Sequence, residues 1–484
     1  MPTMTLRARV TGAAWWYWSA LGALASVGVG LAGSAVGAVP RPASYRWWFH
    51  VSLGGYGAAH VVLYISLAVL GVAWLALGVS ARRGELSVTR ALATFVAWAS
   101  PLFVAPPLFS RDIYSYIAQG QLARAGLNPY KFAPDALAHN ALFYSLAHVW
   151  TATPSPYGPL FVILARASAA ISGPSLIAQV LVFRSLELIG VALALWALTD
   201  LSRRLGAHSG VALWLGVLSP LALLSDVASA HNDTLMIGLL LVGLVLAQRG
   251  ARRGAVAVIA IAAAVKLPAL AGVVVLVVRD ARALPWRRAL AVIGEALAIT
   301  ALVLAACTLV NGFGWGWASY QALSIPSELR TLASPSVSLG AFIAASLRVA
   351  GAHTLATHGV VTVVQHLCDA ASAAGVVFAL SRVHAHNAYR ILGLILLAVV
   401  VSGPTLWPWY LLWGISVLAV TSAQRWRPLA LTALLATLVV GPGGSPMLGG
   451  VAYLITAPAL VLGAYWFVRE VRREGLLEGA DRVG

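Results

Sequence analysis

Charged residues are scarce in this sequence: they occupy 10% of its 484 positions, whereas hydrophobic residues occupy 60%. Few soluble domains have such a composition, because a soluble surface needs more charge. Apolar runs recur along the whole chain, and many are long enough to cross a bilayer, which takes about 20 helical residues. The runs lack the alternation of a transmembrane barrel strand. The composition therefore predicts an all-α polytopic membrane protein.

Cysteine is almost absent, since the chain has only two, Cys307 and Cys368, and both lie inside apolar runs. This excludes a disulfide framework and a cysteine-based metal site. Only fifteen residues are acidic, and no Asp-x-Asp pair occurs. The net charge of the chain is +17. In a membrane protein, such an excess of basic residues normally marks the cytoplasmic loops, so no nucleic-acid partner is expected.

The basic clusters predict the topology. If all of them are cytoplasmic, both termini are cytoplasmic too. About twelve full crossings follow, at 11–38, 56–80, 91–108, 184–202, 209–225, 234–248, 287–310, 359–380, 390–403, 409–422, 428–441 and 449–468. We expect one transmembrane domain over residues 1–484, with a large first external loop at 109–156 that carries surface-lying helices.

Three apolar segments do not fit a topology in which every basic cluster is cytoplasmic. Residues 254–278 have basic clusters at both ends, which favours a short helical hairpin with Lys266 and Pro268 at its tip, because proline disfavours an uninterrupted helix. Residues 157–183 and 335–350 are predicted to be re-entrant or surface-lying. Broken helices at membrane depth are tolerated where they line a cavity. A cavity open to a substrate is therefore expected.

Asp112 is the first candidate functional residue. A helix that starts near Ser110 places Asp112, Tyr116 and Gln119 on one face. The helix dipole favours an ionised carboxylate in the first turn, and a general base requires such a group. A solvated helix-terminal charge paired with Arg111 is the alternative.

A second polar cluster lies at Ser225–Leu239 and contains Asp226, His231, Asn232 and Asp233. Two ligands at this spacing give only a weak indication of a metal site. The alternative is that Asn232 and Asp233 cap a helix that begins at Thr234.

Lys266 is a cation inside an apolar run, and such cations are functional candidates because they are costly. It suits a phosphate group. The alternative is a structural pairing with Asp112, Asp233 or a helix-end carbonyl. Arg330 is a loop cation for which a solvated role is equally open. Trp407, Trp409 and Tyr410 belong to an interfacial aromatic belt or line a sugar or lipid groove.

Several motifs follow one another in a characteristic order: SRDIYSYIAQGQLARAGLNPY, SPYGPL, AHNDTLMIGLLL, VKLPAL, SPSVSLG and LWPWYLLWG. This ordered set resembles the polyprenol-phosphomannose-dependent α-1,6-mannosyltransferases, which belong to the GT-C glycosyltransferase superfamily. The resemblance implies a GT-C-type helical bundle in the cell membrane with its active site on the extracytoplasmic side. It also implies a polyprenyl-phosphate-mannose donor, a mannosylated glycolipid acceptor, an inverting reaction and no metal cofactor.

The resemblance places Asp112 as the catalytic base, because these enzymes carry an acidic residue in the first large external loop. Donor phosphate contacts are expected from Lys266, Arg111, His231 and Arg330. Acceptor or sugar contacts are expected from Tyr114, Tyr116, Gln119, Asn128, Tyr130, Tyr157, Asn232, Asp233, Trp407, Trp409 and Tyr410.

A secondary transporter or lipid flippase is the alternative function. Broken helices and an intramembrane lysine suit alternating access. The sequence shows no inverted repeat, however, and the large loop on one side makes the two faces unequal.

Overall fold

The computed structural model describes residues 3–41, 47, 53, 55–331, 333–351, 357–421, 426–437, 441 and 443. These residues are predominantly helical and contain no β-strand, which confirms the predicted all-α class. The α-helices are α1 Thr3–Val36, α2 Tyr56–Arg82, α3 Val88–Val104, α4 Asp112–Arg124, α5 Ala141–Ser145, α6 His148–Thr151, α7 Pro159–Ile171, α8 Leu176–Arg204, α9 Ser209–Gly216, α10 Pro220–Ala222, α11 Asp233–Gln248, α12 Arg252–Val265, α13 Leu270–Arg282, α14 Trp286–Asn311, α15 Tyr320–Glu328, α16 Pro335–Val349, α17 Thr357–Ser381, α18 Ala388–Ser402, α19 Leu411–Thr421 and α20 Trp426–Thr437.

Five helices in the described part of the chain are long and apolar enough to cross a membrane. They are Trp15–Val36, Tyr56–Arg82, Leu176–Arg204, Trp286–Asn311 and Thr357–Ser381. Other predicted crossings correspond to apolar helices of 10–17 residues, among them α3, α11 and α18. The predicted crossing at 449–468 lies outside the described residues.

The predicted crossing at 209–225 is bent rather than straight. Its two halves, Ser209–Gly216 and Pro220–Ala228, meet at 45°. Proline starts the second half, where Ser219 accepts a hydrogen bond from the backbone of Ala222, and the chain then winds into a π-helix over Leu223–Ala228. If the two halves form one span, the described residues hold six candidate spans.

The segment 254–278 forms the predicted hairpin. Helix α12 ends at Val265, a 3₁₀ turn covers Leu267–Ala269, and α13 returns. The tip at Lys266 contacts Asp233, where α11 begins. At the other end, Tyr389 donates to the carbonyl of Leu244 near the end of α11 and interacts with Arg279 near the end of α13. Both hairpin helices therefore run between the same two ends of the bundle.

We call these the site end, which holds Lys266 and Asp233, and the basic end, where α11 ends and α12 begins. Helix α8 runs between them, because Glu187 contacts the first turn of α11 and Asp200 pairs with Arg249.

The structure moves the start of one predicted crossing. Residues 157–183 form α7 and the first turns of α8, so the span predicted at 184–202 begins at Leu176. The predicted loop 109–156 contains α4, α5, α6 and a 3₁₀ turn at Pro134–Ala136. That these helices are external and lie at the membrane surface stays a prediction. The α4 helix packs between α7 and the rest of this loop. This arrangement brings Asp112 to the site end.

Candidate active site

Asp112 lies in the first turn of α4, as predicted, although the helix begins at Asp112 itself rather than near Ser110. Its carboxylate is held by a residue from elsewhere in the loop. The indole Nε1 of Trp150 donates to Asp112 Oδ1 over 2.8 Å, and the Asp112 backbone N–H donates to Ser110 Oγ over 3.1 Å. The Asp112 side chain is 14% exposed. It is therefore fixed in direction and still reachable.

The environment of Asp112 sets its acidity. Burial raises the pKa of Asp112 to about 6, while the hydrogen bond from Trp150 and the charge of Lys266 lower it. The nearby carboxylate of Asp233 raises it again. A pKa near 6 leaves the carboxylate mostly ionised at neutral pH, yet basic enough to accept a proton, which suits a general base.

His231 lies beside Asp112, with 3.7 Å between His231 Nε2 and Asp112 Oδ2. Its Nδ1 is 3.0 Å from the carbonyl of Ser225, which can only accept, so Nδ1 carries the proton. Burial lowers the pKa of His231 to about 4, and the ring is neutral at pH 7. This environment does not favour the phosphate-binding cation that the sequence predicts.

Lys266 and Asp233 form a buried ion pair, which is the pairing that the sequence named as one possibility. The phosphate contact of Lys266 stays a prediction. The ammonium Nζ lies 2.7 Å and 2.9 Å from the two carboxylate oxygens, and Trp413 Nε1 donates to the same carboxylate over 2.6 Å. Lys266 lies 4.3 Å from the ring centre of Tyr410 and 5.8 Å from that of Tyr157. The aromatic rings partly replace water around this cation.

An aromatic stack extends from the histidine. The ring of His231 lies 3.7 Å from that of Trp409, and Trp409 lies 5.1 Å from Trp407, both nearly parallel. The predicted groove residues Trp407, Trp409 and Tyr410 therefore lie at the site end. Trp409 stacks on His231, and Tyr410 contacts Lys266.

The turn that carries His231 also holds polar atoms without a protein partner. Both amide atoms of Asn232, Asp226 Oδ1 and His231 Nε2 are buried and make no hydrogen bond to the described residues. Buried polar groups nearly always have a partner. The acceptor or sugar contact that the sequence predicts for Asn232 stays a prediction.

The predicted capping by Asn232 is wrong. Helix α11 begins at Asp233, and the Asn232 side chain makes no capping hydrogen bond. The carboxylate of Glu187, on α8, accepts from the backbone N–H of Leu235 instead, over 3.1 Å. A carboxylate from another helix thus takes the role that local sequence rules assign to the preceding residue.

Four residues that the sequence proposed for sugar contacts are bonded within the protein. Tyr114 donates to the carbonyl of Ala38, and Gln119 accepts from Ser155. The remaining two hold the loop against α14: Asn128 donates to the carbonyl of Phe313, and Tyr130 accepts from Asn311. The sugar contacts of Tyr114, Gln119, Asn128 and Tyr130 stay predictions.

Two of the predicted phosphate ligands are also bonded to protein groups. Arg111 donates to the carbonyls of Val39 and Ser145 at 3.0 Å each, and Arg330 donates to Thr362 over 2.9 Å. Of the residues predicted for sugar contacts, Tyr116 packs against Tyr157 inside the core. Among the cations predicted for phosphate, Lys266 is the one that the described contacts place beside Asp233.

The sequence missed three contributors to the site. Trp150 and Trp413 hold the two carboxylates, and Glu187 positions α11. The position of Glu187 within an apolar run was the one feature of the sequence that could have indicated its role. Among the described residues no three His, Cys, Asp or Glu side chains are grouped to hold a metal ion.

Comparison with known proteins adds the family. Residues 19–282 match the family described as alpha-(1->6)-mannopyranosyltransferase, N-terminal domain, and residues 336–469 match the MptB C-terminal domain. No solved structure matches the chain.

Curated relatives carry related names. An alpha-(1->6)-mannopyranosyltransferase A of Mycobacterium tuberculosis is 32% identical over 86% of this chain and 81% of its own. A probable alpha-(1->6)-mannopyranosyltransferase of Mycolicibacterium smegmatis is 32% identical over 84% of this chain and 79% of its own. An alpha-(1->6)-mannopyranosyltransferase B of Corynebacterium glutamicum is 32% identical over 74% and 65%. Together with the bundle and its buried ionic cluster, these matches show that the chain belongs to the alpha-(1->6)-mannopyranosyltransferase family.

Proposed function

We propose that the protein transfers mannose from a polyprenyl-phosphate-mannose donor to a mannosylated glycolipid acceptor and forms an α-1,6 linkage with inversion. The observation that carries this proposal is the position of Asp112. Its partly exposed carboxylate lies 3.7 Å from His231 Nε2 and within the electrostatic influence of Lys266. A base, a neutral imidazole and a cation at one end of the bundle suit a reaction that moves a proton and releases a phosphate.

Asp112 is the base in this mechanism. It removes the proton from the acceptor's 6-hydroxyl as that oxygen attacks the anomeric carbon of the donor mannose. The bond from the anomeric carbon to the phosphate oxygen breaks on the opposite face, so a β-linked donor gives an α-linked product. General-base catalysis of this kind contributes about 10²- to 10⁴-fold.

His231 assists Asp112 after the proton has moved. Because Nδ1 is committed to the carbonyl of Ser225, the Nε2 lone pair is directed to the Asp112 side. A protonated Asp112 donates a hydrogen bond to that lone pair, and an ionised one does not. The imidazole therefore favours the state of Asp112 that forms during the transfer.

Lys266 stabilises the departing phosphate. An ammonium group has three N–H donors, and the two oxygens of Asp233 take two of them. The third is available at a side chain that is 12% exposed. A fixed cation at the position where negative charge grows contributes to the transition state itself. No metal is needed for this step in our proposal.

We also propose that the site end faces the extracytoplasmic side. Arg249, Arg252 and Arg279 lie at the opposite end, and positively charged loops are retained in the cytoplasm. The lipid-linked donor then approaches from the outer leaflet of the cell membrane, in which the protein is embedded with cytoplasmic termini. The transporter alternative gains no support, since the relatives carry transferase names.

The test is the substitution Asp112→Asn in membranes supplied with radiolabelled polyprenyl-phosphate-mannose and a mannolipid acceptor. Formation of the α-1,6-linked product is expected to fall by about 10²-fold or more. Wild-type rates are expected to rise with pH through about 6, where Asp112 ionises.

Protein stability supplies the control. The folded-state pKa of Asp112 is raised above its unfolded value of 3.8, so its contribution favours folding at low pH and is lost as pH rises through about 6. Asp112→Asn should therefore melt at a higher temperature than the wild type at pH 8. A stable variant with undiminished transfer would contradict the proposed base.

A further inference from the structure

A buried arginine of α8 connects the segments that carry the candidate catalytic groups. Arg184 is fully buried and forms no ion pair among the described residues. Its guanidinium donates to the carbonyl of Phe103 over 2.6 Å and also to the carbonyls of Ala105 and Ala228. A buried guanidinium is costly, and these charge-assisted bonds offset that cost.

The three carbonyls belong to two separate parts of the chain. Phe103 and Ala105 lie at the end of α3, shortly before Asp112, whereas Ala228 ends the π-helix shortly before His231. A second link between the same parts is the hydrogen bond from the Phe109 backbone to Ser229 Oγ, at 3.4 Å. One side chain on α8 therefore fixes the approach of both segments to the site.

Glu187, about one turn along α8, holds the other side of the histidine turn. Its side chain is buried and accepts from the N–H of Leu235 in the first turn of α11. Arg184 thus binds the carbonyl end of one helical segment, and Glu187 binds the amide end of the next. The positive charge of Arg184 has the sign that the carbonyl end of a helix favours.

Gly190 completes this face and sets the distance between α8 and α11. A Cβ atom on Gly190 would lie 2.6 Å from the backbone N and Cα of Leu235, and one on Gly238 would lie 2.4 Å from the carbonyl of Gly190. No side chain fits between these backbones. Positions 184, 187 and 190 share one face of the helix because they are spaced by three residues.

We propose that Arg184, Glu187 and Gly190, which we call the clamp face, are positioning residues for mannosyl transfer. This inference rests on the proposed function. The clamp face holds Asp112 opposite His231 and keeps Asp233 aligned with Lys266, without touching the substrate. Misplacement of reacting groups by about 1 Å costs up to about 10²-fold in rate. The clamp face is therefore expected to control kcat more than KM.

The experiment measures kcat and donor KM for the full-length chain in membranes, with polyprenyl-phosphate-mannose as the probe. Arg184→Met and Gly190→Ala are expected to lower kcat by about 10- to 100-fold and to change KM by less than about threefold. Arg184→Lys is expected to recover part of the loss, because an ammonium still donates to these carbonyls.

Glu187 offers a finer distinction. Glu187→Gln keeps an oxygen that accepts from Leu235, whereas Glu187→Leu does not. We expect Gln to retain most of kcat and Leu to lose it. Equal losses in both variants would show that the charge, rather than the hydrogen bond to α11, matters.

Two matched controls are available. Ser185→Ala removes a hydroxyl that bonds only to its own helix, through Leu181, and Gly294→Ala adds a Cβ in open space on α14. Both should leave kcat unchanged. Thermal melting of each variant separates a loss of folded protein from a loss of turnover, and Arg184→Lys and Gly190→Ala decide the outcome if Arg184→Met does not fold.

Unchanged kcat in folded Arg184→Met and Gly190→Ala, or a loss confined to KM, would overturn the inference. The proposed function fails separately, since it requires Asp112→Asn to be inactive. Inactive Asp112→Asn together with normal clamp-face variants therefore rejects the positioning role alone.

Discussion

Both ends of the bundle contain an ion pair between an aspartate and a basic residue, but the two pairs differ in their exposure to water. At the basic end, Asp200 pairs with Arg204 and Arg249, whose side chains are 40% and 41% exposed. At the site end, Asp233 is fully buried and pairs with Lys266, which is 12% exposed. Water screens the first group of charges and is nearly excluded from the second.

In our proposal, the basic end sets the orientation of the protein in the membrane and the site end carries the chemistry. Exposed pairs tolerate movement, because water replaces a lost partner. The buried pair is held from several directions, by Trp413 and by the rings of Tyr157 and Tyr410. A fixed cation keeps its effect on a transition state because little reorganisation is needed.

The largest expected effect comes from breaking the buried pair. Lys266→Met leaves Asp233 as an uncompensated buried charge, which costs about 3–5 kcal/mol of stability. Transfer should be lost as well, since the proposed phosphate contact disappears. Thermal melting and the radiolabelled transfer assay measure the two effects.

The double variant Lys266→Met/Asp233→Asn sharpens the result. Asparagine removes the unpaired charge and still accepts from Trp413, so most of the stability should return while transfer stays absent. Recovery of transfer in the double variant would show that Lys266 serves only to neutralise Asp233.

An intermediate effect is expected at Trp150. The hydrogen bond from this indole lowers the pKa of Asp112, so Trp150→Phe should move that pKa upward from about 6. Since the base must be ionised, transfer at pH 6 should fall several-fold, whereas transfer at pH 8 changes by less than about threefold. A rate–pH profile checks this.

Trp315→Phe is the matched control for this change, because its side chain is 57% exposed and lies away from Asp112 in the chain. Its profile should coincide with that of the wild type. An unshifted rate–pH profile in Trp150→Phe would mean that the ionisation of Asp112 does not cause the fall in rate at low pH.

The smallest expected effect is at the basic end. Asp200→Asn removes the negative charge that pairs with two exposed arginines, and such pairs contribute about 0–1 kcal/mol. Melting temperature and transfer should both stay close to the wild-type values. A loss as large as that of Lys266→Met would remove the distinction between the two ends.

The sequence predicted the features that depend on local rules. The hairpin with Lys266 at its tip follows from proline and from flanking charge. The periodicity after Ser110 predicts a helix with Asp112 in its first turn, and α4 begins two residues later than predicted. The pairing of Lys266 with Asp233 was one of its open alternatives, and the structure confirms it.

The features it missed join residues far apart in the chain. Trp150 lies 38 positions from Asp112, and Trp413 lies 180 positions from Asp233. Nothing in the local pattern of one sequence specifies such pairs. The phosphate role predicted for His231 requires a cationic ring, but the ring is buried against Trp409, and burial favours its neutral form.

The hairpin has a consequence for depth. Helix α12 has 14 residues, so at about 1.5 Å per residue Lys266 lies roughly 20 Å from the basic end. The hydrocarbon core of a bilayer is about 30 Å thick. With the basic end at one boundary of the membrane, as our proposal places it, the ammonium group lies about 10 Å below the opposite boundary. The phosphate of the proposed lipid-linked donor then reaches it from the adjacent leaflet.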